Sequence, residues 1–158
     1  MKIHIVGGPG SGKSTLAEKL SRELGIPHYD LDDIQWANES GYGKKRDPQE
    51  RDALLDELLQ RDDWIMEGVY YAGCGRCCED ADRIYLLTVP RPVYRYRIIR
   101  RFLRRKLGLE PGKKETLRSL SALLAWADKY QRVNLAEIRK ILEAYPDKVI
   151  ELSKKVSQ

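Results

Sequence analysis

A glycine-rich segment near the start of the chain carries the residues best suited to hold phosphate. Residues 7–14 satisfy the pattern G-x-x-x-x-G-K-[ST] through Gly7, Gly12, Lys13 and Ser14. In this pattern the backbone N–H groups curl toward phosphate oxygens, the lysine reaches the β- and γ-phosphates, and the hydroxyl ligates Mg²⁺. We therefore predict binding of ATP with Mg²⁺ by Gly8, Pro9, Gly10, Ser11, Gly12, Lys13, Ser14 and Thr15.

The elements around this segment favour a phosphate loop over a plain glycine turn. Residues 2–6 form a short β-branched run that predicts a buried strand. Residues 13–24 carry apolar side chains at helical spacing, and Gly25 follows as a helix stop. A strand, a glycine loop and a helix are the context in which this pattern binds a triphosphate.

Acidic side chains follow the next two predicted strands. Asp30 and Asp32 come at the end of one strand, and Glu67 ends the other. Since ligands bind at the carboxyl ends of parallel strands, we predict Ser14, Asp30 and Glu67 as the magnesium-binding set. We predict Asp32 as a catalytic residue that faces the acceptor and takes its proton. The alternative is that these acids begin a turn or cap a helix, which we prefer for Asp33.

A strongly basic helix is predicted for residues 91–107. It has eight basic residues in the sixteen positions 91–106. Arg97 and Arg101 are four positions apart and share a face, so we predict that they are catalytic and neutralise the γ-phosphate. The segment that follows is a candidate lid, about residues 104–115. Two alternatives stay open: contact with a nucleic-acid backbone, and a solvated face for Arg91 and Arg100.

Other candidate site residues lie in predicted loops. Trp36 can stack on a substrate ring or pack at the rim, and Tyr42, Tyr70 and Tyr71 lie in similar places. Arg76 can clamp a substrate phosphate or lie on the surface. The predicted substrate-binding residues are therefore Asp32, Trp36, Glu67 and Arg76, with a substrate-binding segment at about residues 32–62.

Three cysteines cluster at positions 74, 77 and 78. A zinc site would need further ligands, and the chain has only two histidines, His4 in the first predicted strand and His28. We therefore expect free thiols on a loop.

Length and composition fit one α/β domain. The chain has 158 residues with 42% hydrophobic and 34% charged residues, and no apolar run is long enough to span a bilayer. We expect a cytoplasmic monomer or homodimer. Residues 1–79 have a net charge of −5 and residues 80–158 a net charge of +10. That asymmetry fits either a cation held opposite cationic groups or a nucleic-acid footprint.

The remaining elements alternate between strand and helix. Strands are predicted at 26–31, 64–66, 83–89 and 148–152, and a helix after Asp47, with Pro48 first and Glu50 in a capping box. A glycine and cysteine loop is expected after Gly68, and two helices at about 114–127 and 129–144. This alternation predicts a parallel sheet with helices on both faces.

Four segments together resemble the adenylate-kinase-related P-loop proteins known as DNA topology modulation proteins of the FlaR type. They are residues 5–15, 29–36, 64–70 and 97–102. Similarity to nucleoside-monophosphate kinases implies a five-stranded parallel sheet ordered 2-3-1-4-5 and an arginine-bearing lid. Glu67-Gly68 stands where those kinases usually have Asp-Gly, and Arg76 is a loose match to their substrate-phosphate arginine. Asp30-Leu31-Asp32 is similar to the paired acids of shikimate and gluconate kinases.

Two functional hypotheses follow. The first is an ATP-dependent kinase acting on a nucleotide, a nucleoside or another small hydroxylated acceptor. The second is an ATP-binding regulator that modulates DNA topology through its basic C-terminal half. Nucleic acid is the less favoured partner because the chain has no recognisable DNA-reading motif.

Overall fold

Five short segments form strands in the computed structural model, which describes residues 1–37, 45–69, 71–112 and 115–153. All the pairings are parallel, and the strand order is 2-3-1-4-5, as predicted. Because the strands run the same way, their carboxyl ends meet at one edge of the sheet. The strands are β1 (Lys2–Gly7), β2 (His28–Asp30), β3 (Trp64–Gly68), β4 (Arg83–Thr88) and β5 (Val149–Ser153).

Helices connect the strands and cover both faces of the sheet. They are α1 (Lys13–Leu24), α2 (Leu31–Gln35), α3 (Pro48–Leu59), α4 (Tyr71–Asp80), α5 (Arg91–Lys106), α6 (Leu117–Lys129) and α7 (Leu135–Leu142), with a π-helical segment (Tyr130–Asn134) between the last two. Among these described helices, none is both long enough and apolar enough to cross a membrane.

The side chains of β1 alternate between two hydrophobic layers. Ile3 and Ile5 pack against the α1 side of the sheet with Ala17. Val6 points to the opposite layer, which contains Trp64 and residues of α4 and α7. The helices on both faces therefore bury β1 from Ile3 onward, which fixes where the loop after it emerges.

The helix after Asp47 begins as predicted, although its cap differs in detail. The Asp47 side chain accepts a hydrogen bond from the Gln49 N–H at 2.9 Å, and Pro48 is the first helical residue. Glu50 pairs with Arg46 at 2.7 Å. The Glu50 side chain thus forms a salt bridge with Arg46, one turn earlier, in place of its predicted hydrogen bond in the capping box.

The predicted loop after Gly68 is wrong, because residues 71–80 form α4. The three cysteines, expected as thiols on a loop, lie at most 2% exposed in the core. Their spacing of i, i+3 and i+4 places them on one helical face. Gly73 and Gly75 hid that periodicity, since glycines inside a segment normally favour a loop.

Three further boundaries differ from the prediction. The chain is helical without a break from α6 through the π-helical segment to α7, whereas two helices separated near residue 128 were expected. Helix α6 begins after Thr116, which forms a capping box with Ser119. Strand β2 ends at Asp30, because Asp30 caps α2 where the extended segment was expected to continue.

Candidate active site

The loop between β1 and α1 is shaped by close approach of two other helices. Gly10 has a φ of 74°, and a Cβ atom there would lie 2.7 Å from the carbonyl oxygen of Tyr94 in α5. A Cβ atom on Gly8 would lie 2.6 Å from the ring of Tyr130. Both positions therefore require glycine, and the loop is held between α5 and the π-helical segment.

Glu67 joins the two functional side chains at the start of α1. The Ser14 hydroxyl donates to Glu67 Oε1 at 2.5 Å, and Lys13 Nζ lies 3.8 Å from Glu67 Oε2. Strand pairing sets Glu67 opposite Ile5 of β1, and Glu67 is only 2% exposed. Within the described part of the chain, Oε2 has no hydrogen-bond partner. A buried carboxylate therefore faces the lysine and hydroxyl predicted to bind a triphosphate and its metal.

Asp30 adds a second carboxyl group at the same edge. It pairs with Glu67 in the register of β2 and β3, and its side chain accepts the Asp32 N–H at 2.8 Å. Burial, followed by the negative charges of Glu67 and Asp32, raises the pKa of Asp30 from its ordinary value of 3.8 to about 7. The site thus concentrates negative charge before any cation enters.

These residues fit a magnesium ion. A hydroxyl and two carboxyl groups offer the hard oxygen ligands that Mg²⁺ prefers, with one or two carboxylates per ion. Glu67 Oε2 lacks a hydrogen-bond partner among the described residues, and burial together with the neighbouring carboxylates raises the pKa of Asp30. A divalent cation bound here would favour the ionised form of Asp30. Ser14, Asp30 and Glu67 are therefore brought together as the sequence predicted, and their role as magnesium ligands remains a prediction.

The residues predicted for the acceptor are spread more widely. Asp32 is half-buried in the first turn of α2, beside Asp30. Trp36 ends α2, where its N–H donates to the Asp32 carbonyl at 3.1 Å and its backbone bridges to Lys45. Arg76 forms an ion pair with Asp56 of α3. The structure thus gives Arg76 a partner on a neighbouring helix, and its phosphate-clamping role is left without support from the geometry.

Some aromatic candidates lie outside the described residues. These are Tyr42, Tyr70 and the side chain of Tyr71.

Two predicted catalytic arginines of α5 lie beside the phosphate loop. Arg97 donates through one guanidinium nitrogen to the carbonyl oxygens of Gly10 at 3.1 Å and Ser11 at 3.2 Å. Arg101 is half-buried, and its Nε has no hydrogen-bond partner among the described residues. Arg97 thus holds the loop from outside, whereas Arg101 has an unused donor.

Both arginines line a cavity of about 780 Å³ that opens from the loop. The volume lies in the range of pockets that hold small ligands. Exposed Arg100 and Arg104 stand along the same wall. The residues that line it are Gly10, Ser11, Gly12, Lys13, Ser14, Thr15, Leu16, Lys19, Leu87, Val89, Arg97, Ile98, Arg100, Arg101, Arg104, Glu110 and Leu152.

The segment predicted as a lid is tied back to α5. Arg104 contacts Glu110 at 3.3 Å, and Arg105 contacts Glu115 at 2.8 Å. Gly108, with a φ of 70°, turns the chain after α5. The lid function of this segment remains a prediction.

Sequence reasoning missed Tyr130, whose ring packs on Gly8. Tyr130 is 3% exposed, and its hydroxyl has no hydrogen-bond partner in the part of the chain that the structure describes. It begins the π-helical segment, a backbone feature found often at functional sites. No motif marks this position. It lies near the start of the second predicted helix, about residues 129–144.

Comparisons with known proteins agree with this architecture. A family model described as an AAA domain matches residues 6–70. The uncharacterized Bacillus subtilis protein YqaC is 28% identical over 138 residues, which cover 87% of this chain and 76% of that protein. An adenylate kinase from Lachnospira eligens is 37% identical over 79 residues, which cover 47% of this chain and 36% of that kinase. The match therefore spans about a third of that adenylate kinase.

A solved structure has the same fold. It is a shikimate kinase from Acinetobacter baumannii in complex with shikimate, with a TM-score of 0.60 and 16% sequence identity. The alignment covers 99% of this chain and 84% of that one.

Proposed function

Because this chain is a P-loop protein related to the adenylate kinases, we propose that it is an ATP-dependent kinase for a small acceptor. It transfers the γ-phosphoryl group of ATP to a hydroxyl or phosphate oxygen of a nucleotide, a nucleoside or another small hydroxylated molecule. The observation that carries the proposal is the contact of Glu67 with both Ser14 and Lys13, which themselves line a cavity together with Arg97 and Arg101.

That arrangement supports phosphoryl transfer because the reaction depends on positioning and on charge neutralisation. Backbone N–H groups of the loop and Lys13 bind the β- and γ-phosphates. Ser14, Asp30 and Glu67 would hold Mg²⁺, which would supply positive charge to offset that of the phosphates. The 3.8 Å separation from Glu67 leaves Lys13 Nζ able to turn toward an incoming triphosphate.

Asp32 is the proposed base for the acceptor. The acceptor oxygen forms a bond to the γ-phosphorus while the bond from that phosphorus to the ADP oxygen breaks. For a hydroxyl acceptor, the proton passes to the Asp32 carboxylate. The position of Asp32 supports this role, since it lies two residues after Asp30, the last residue of β2, which pairs with Glu67. Arg101 neutralises the transferred group from the other side.

The regulatory alternative, in which α5 contacts DNA, gains no support from the relatives. Much of the basic charge on α5 is also committed within the chain. Arg91 and Arg95 pair with Asp128, and Arg104 and Arg105 pair with Glu110 and Glu115. The kinase is therefore the function we put forward.

A direct test is to measure ADP formation with ATP and Mg²⁺ against a panel of nucleoside monophosphates, nucleosides and small polyols. We expect one acceptor class to raise ADP formation well above the rate with water alone. Lys13→Ala serves as the control, because it should lose the stimulated rate. If no acceptor raises the rate while calorimetry detects ATP binding, the transferase assignment fails and ATP binding alone survives.

A further inference from the structure

A buried cluster of nitrogen and sulfur atoms lies on the opposite face of β1 from α1. One ring nitrogen of His4, the Sγ of Cys74 and the Sγ of Cys78 all lie within 4.8 Å of one another. All three residues are at most 2% exposed. The kinase chemistry uses none of them. From this geometry we infer that His4, Cys74 and Cys78 supply three of the four ligands of one zinc ion.

The orientation of His4 is that of a metal ligand. Its Nδ1 lies 3.2 Å from the backbone carbonyl oxygen of Met66, to which the Nδ1–H donates. That bond leaves the lone pair on Nε2, which has no hydrogen-bond partner among the described residues although His4 is 1% exposed. A ligating histidine usually donates its other ring N–H to a carbonyl or carboxylate in this way.

The spacing of the sulfur atoms agrees with the same ion. Cys74 and Cys78 are one helical turn apart in α4, and their Sγ atoms are 3.7 Å apart. Two zinc–sulfur bonds of about 2.3 Å at a tetrahedral angle place the sulfur atoms roughly 3.8 Å apart. A disulfide fits less well, because Cβ atoms four positions apart on a helix are about 5–6 Å apart and a disulfide needs about 3.5–4.5 Å.

The electrostatics of this core also favour a divalent ion. Two thiolates, one imidazole and Zn²⁺ have no net charge, whereas Cu⁺ on the same ligands leaves a buried negative charge. Zinc binding requires both thiols to release their protons.

Such an ion would attach α4 to the central strand. Between Gly73 and Asp80 this helix has no large apolar side chain, and its buried face consists mainly of cysteines. The burial of large side chains therefore contributes little to its packing. A metal bridge from α4 to His4 of β1 supplies an attachment that the apolar core does not.

The test begins with the unaltered chain, purified under reducing conditions. Metal analysis should find one zinc per chain after reconstitution with Zn²⁺ alone, and removal by a chelator should lower Tm by several degrees. Replacement by Co²⁺ should give thiolate-to-cobalt charge-transfer absorption. A chain that takes up neither ion and keeps its Tm overturns the inference. Preference for Cu⁺ over Zn²⁺ in competition overturns the assignment to zinc.

Cysteine variants locate the ion. Cys74→Ser and Cys78→Ser should each weaken zinc binding at least about a hundredfold, since a lost ligand costs more than a lost supporting contact. Cys77→Ala is the matched control, because Cys77 is equally buried on α4 but its Sγ contacts Met66 Sδ at 3.9 Å instead. If Cys77→Ala loses zinc as fully as Cys74→Ser, the site is wrong. If the serine variants do not fold, the cobalt spectrum of the unaltered chain still decides between thiolate and oxygen ligands.

Discussion

The acidic and the basic ends of the site around the phosphate loop hold their charges in different ways. At the acidic end, Ser14 and Lys13 contact Glu67, and Asp30 follows on the adjacent strand. At the basic end, Arg97 is bound to loop carbonyls, while Arg101 keeps a donor without a partner in the described residues. Strand pairing positions the residues of the acidic end, whereas the residues of the basic end belong to α5 and the segment after it.

This difference indicates which charged groups are held rigidly and which we expect to move. The ends of neighbouring strands hold the groups predicted to bind a metal and phosphates in precise positions, because the strands constrain one another. We expect the helix that ends in a turn at Gly108 to bring its arginines closer when a triphosphate binds. Substitutions at the acidic end should therefore lower activity strongly. At the basic end, the loss of activity should depend on the contacts that each arginine makes.

The largest effect is expected at the acidic end, from Lys13→Ala. Removal of the ammonium group leaves the triphosphate without its central cation, so the rate of ADP formation should fall about a thousandfold or more. Calorimetry should show weakened ATP binding, while urea unfolding should show that the variant is folded. If the variant binds ATP as tightly as the unaltered chain does, the roles assigned to both ends of the site are wrong.

The next effect is expected at the basic end, from Arg101→Ala. If Arg101 neutralises the transferred phosphoryl group, kcat should fall about a hundredfold or more with a smaller change in the KM for ATP. Arg95→Ala is the matched control, because Arg95 is also half-buried on α5 but pairs with Asp128 away from the cavity. Equal losses in the two variants would show that α5 acts only through its packing.

A smaller effect is expected from Arg97→Ala. The two hydrogen bonds from Arg97 to the loop carbonyls should hold the loop rather than the reacting group. Loss of a charged hydrogen bond of this kind should raise the KM for ATP about tenfold and change kcat less. A larger fall in kcat than rise in KM would instead give Arg97 the direct role predicted from the sequence.

The last effect is expected in stability and not in the reaction rate, and it concerns the acidic end. The pKa of Asp30 is higher in the folded protein than in the unfolded chain, so the folded state loses stability as the pH rises from about 4 through about 7. Asp30→Asn should therefore stabilise the protein by about 2 kcal/mol near pH 8, after allowance for partial exposure, and by much less near pH 5. Urea unfolding at both pH values measures this difference.

The exposed neighbour Asp33 supplies the control for that measurement. Asp33→Asn should change the free energy of unfolding little at either pH. A gain for Asp30→Asn that is the same at both pH values would contradict the raised pKa.

Much of the fold was predictable because its signals are local. The phosphate loop, the bounds of α1 and the start of α3 follow from glycines, helical spacing and a capping aspartate. Helix α4 was missed because its glycines break the expected periodicity and its buried face consists of cysteines. The division into α6 and α7 was misplaced, since the π-helical segment continues the helix without a local stop signal.

The sequence by itself determined the residues that we predict to bind phosphate, since that chemistry requires a contiguous strand, loop and helix. It also marked Glu67 and Asp30, because the carboxyl ends of parallel strands meet at one edge. Only the tertiary structure decided that Arg97 donates hydrogen bonds to the loop, that Arg76 pairs with Asp56, and that His4 lies next to Cys74 and Cys78. These contacts join residues about 20 to 90 positions apart, so no pattern within a single segment of the sequence predicts them.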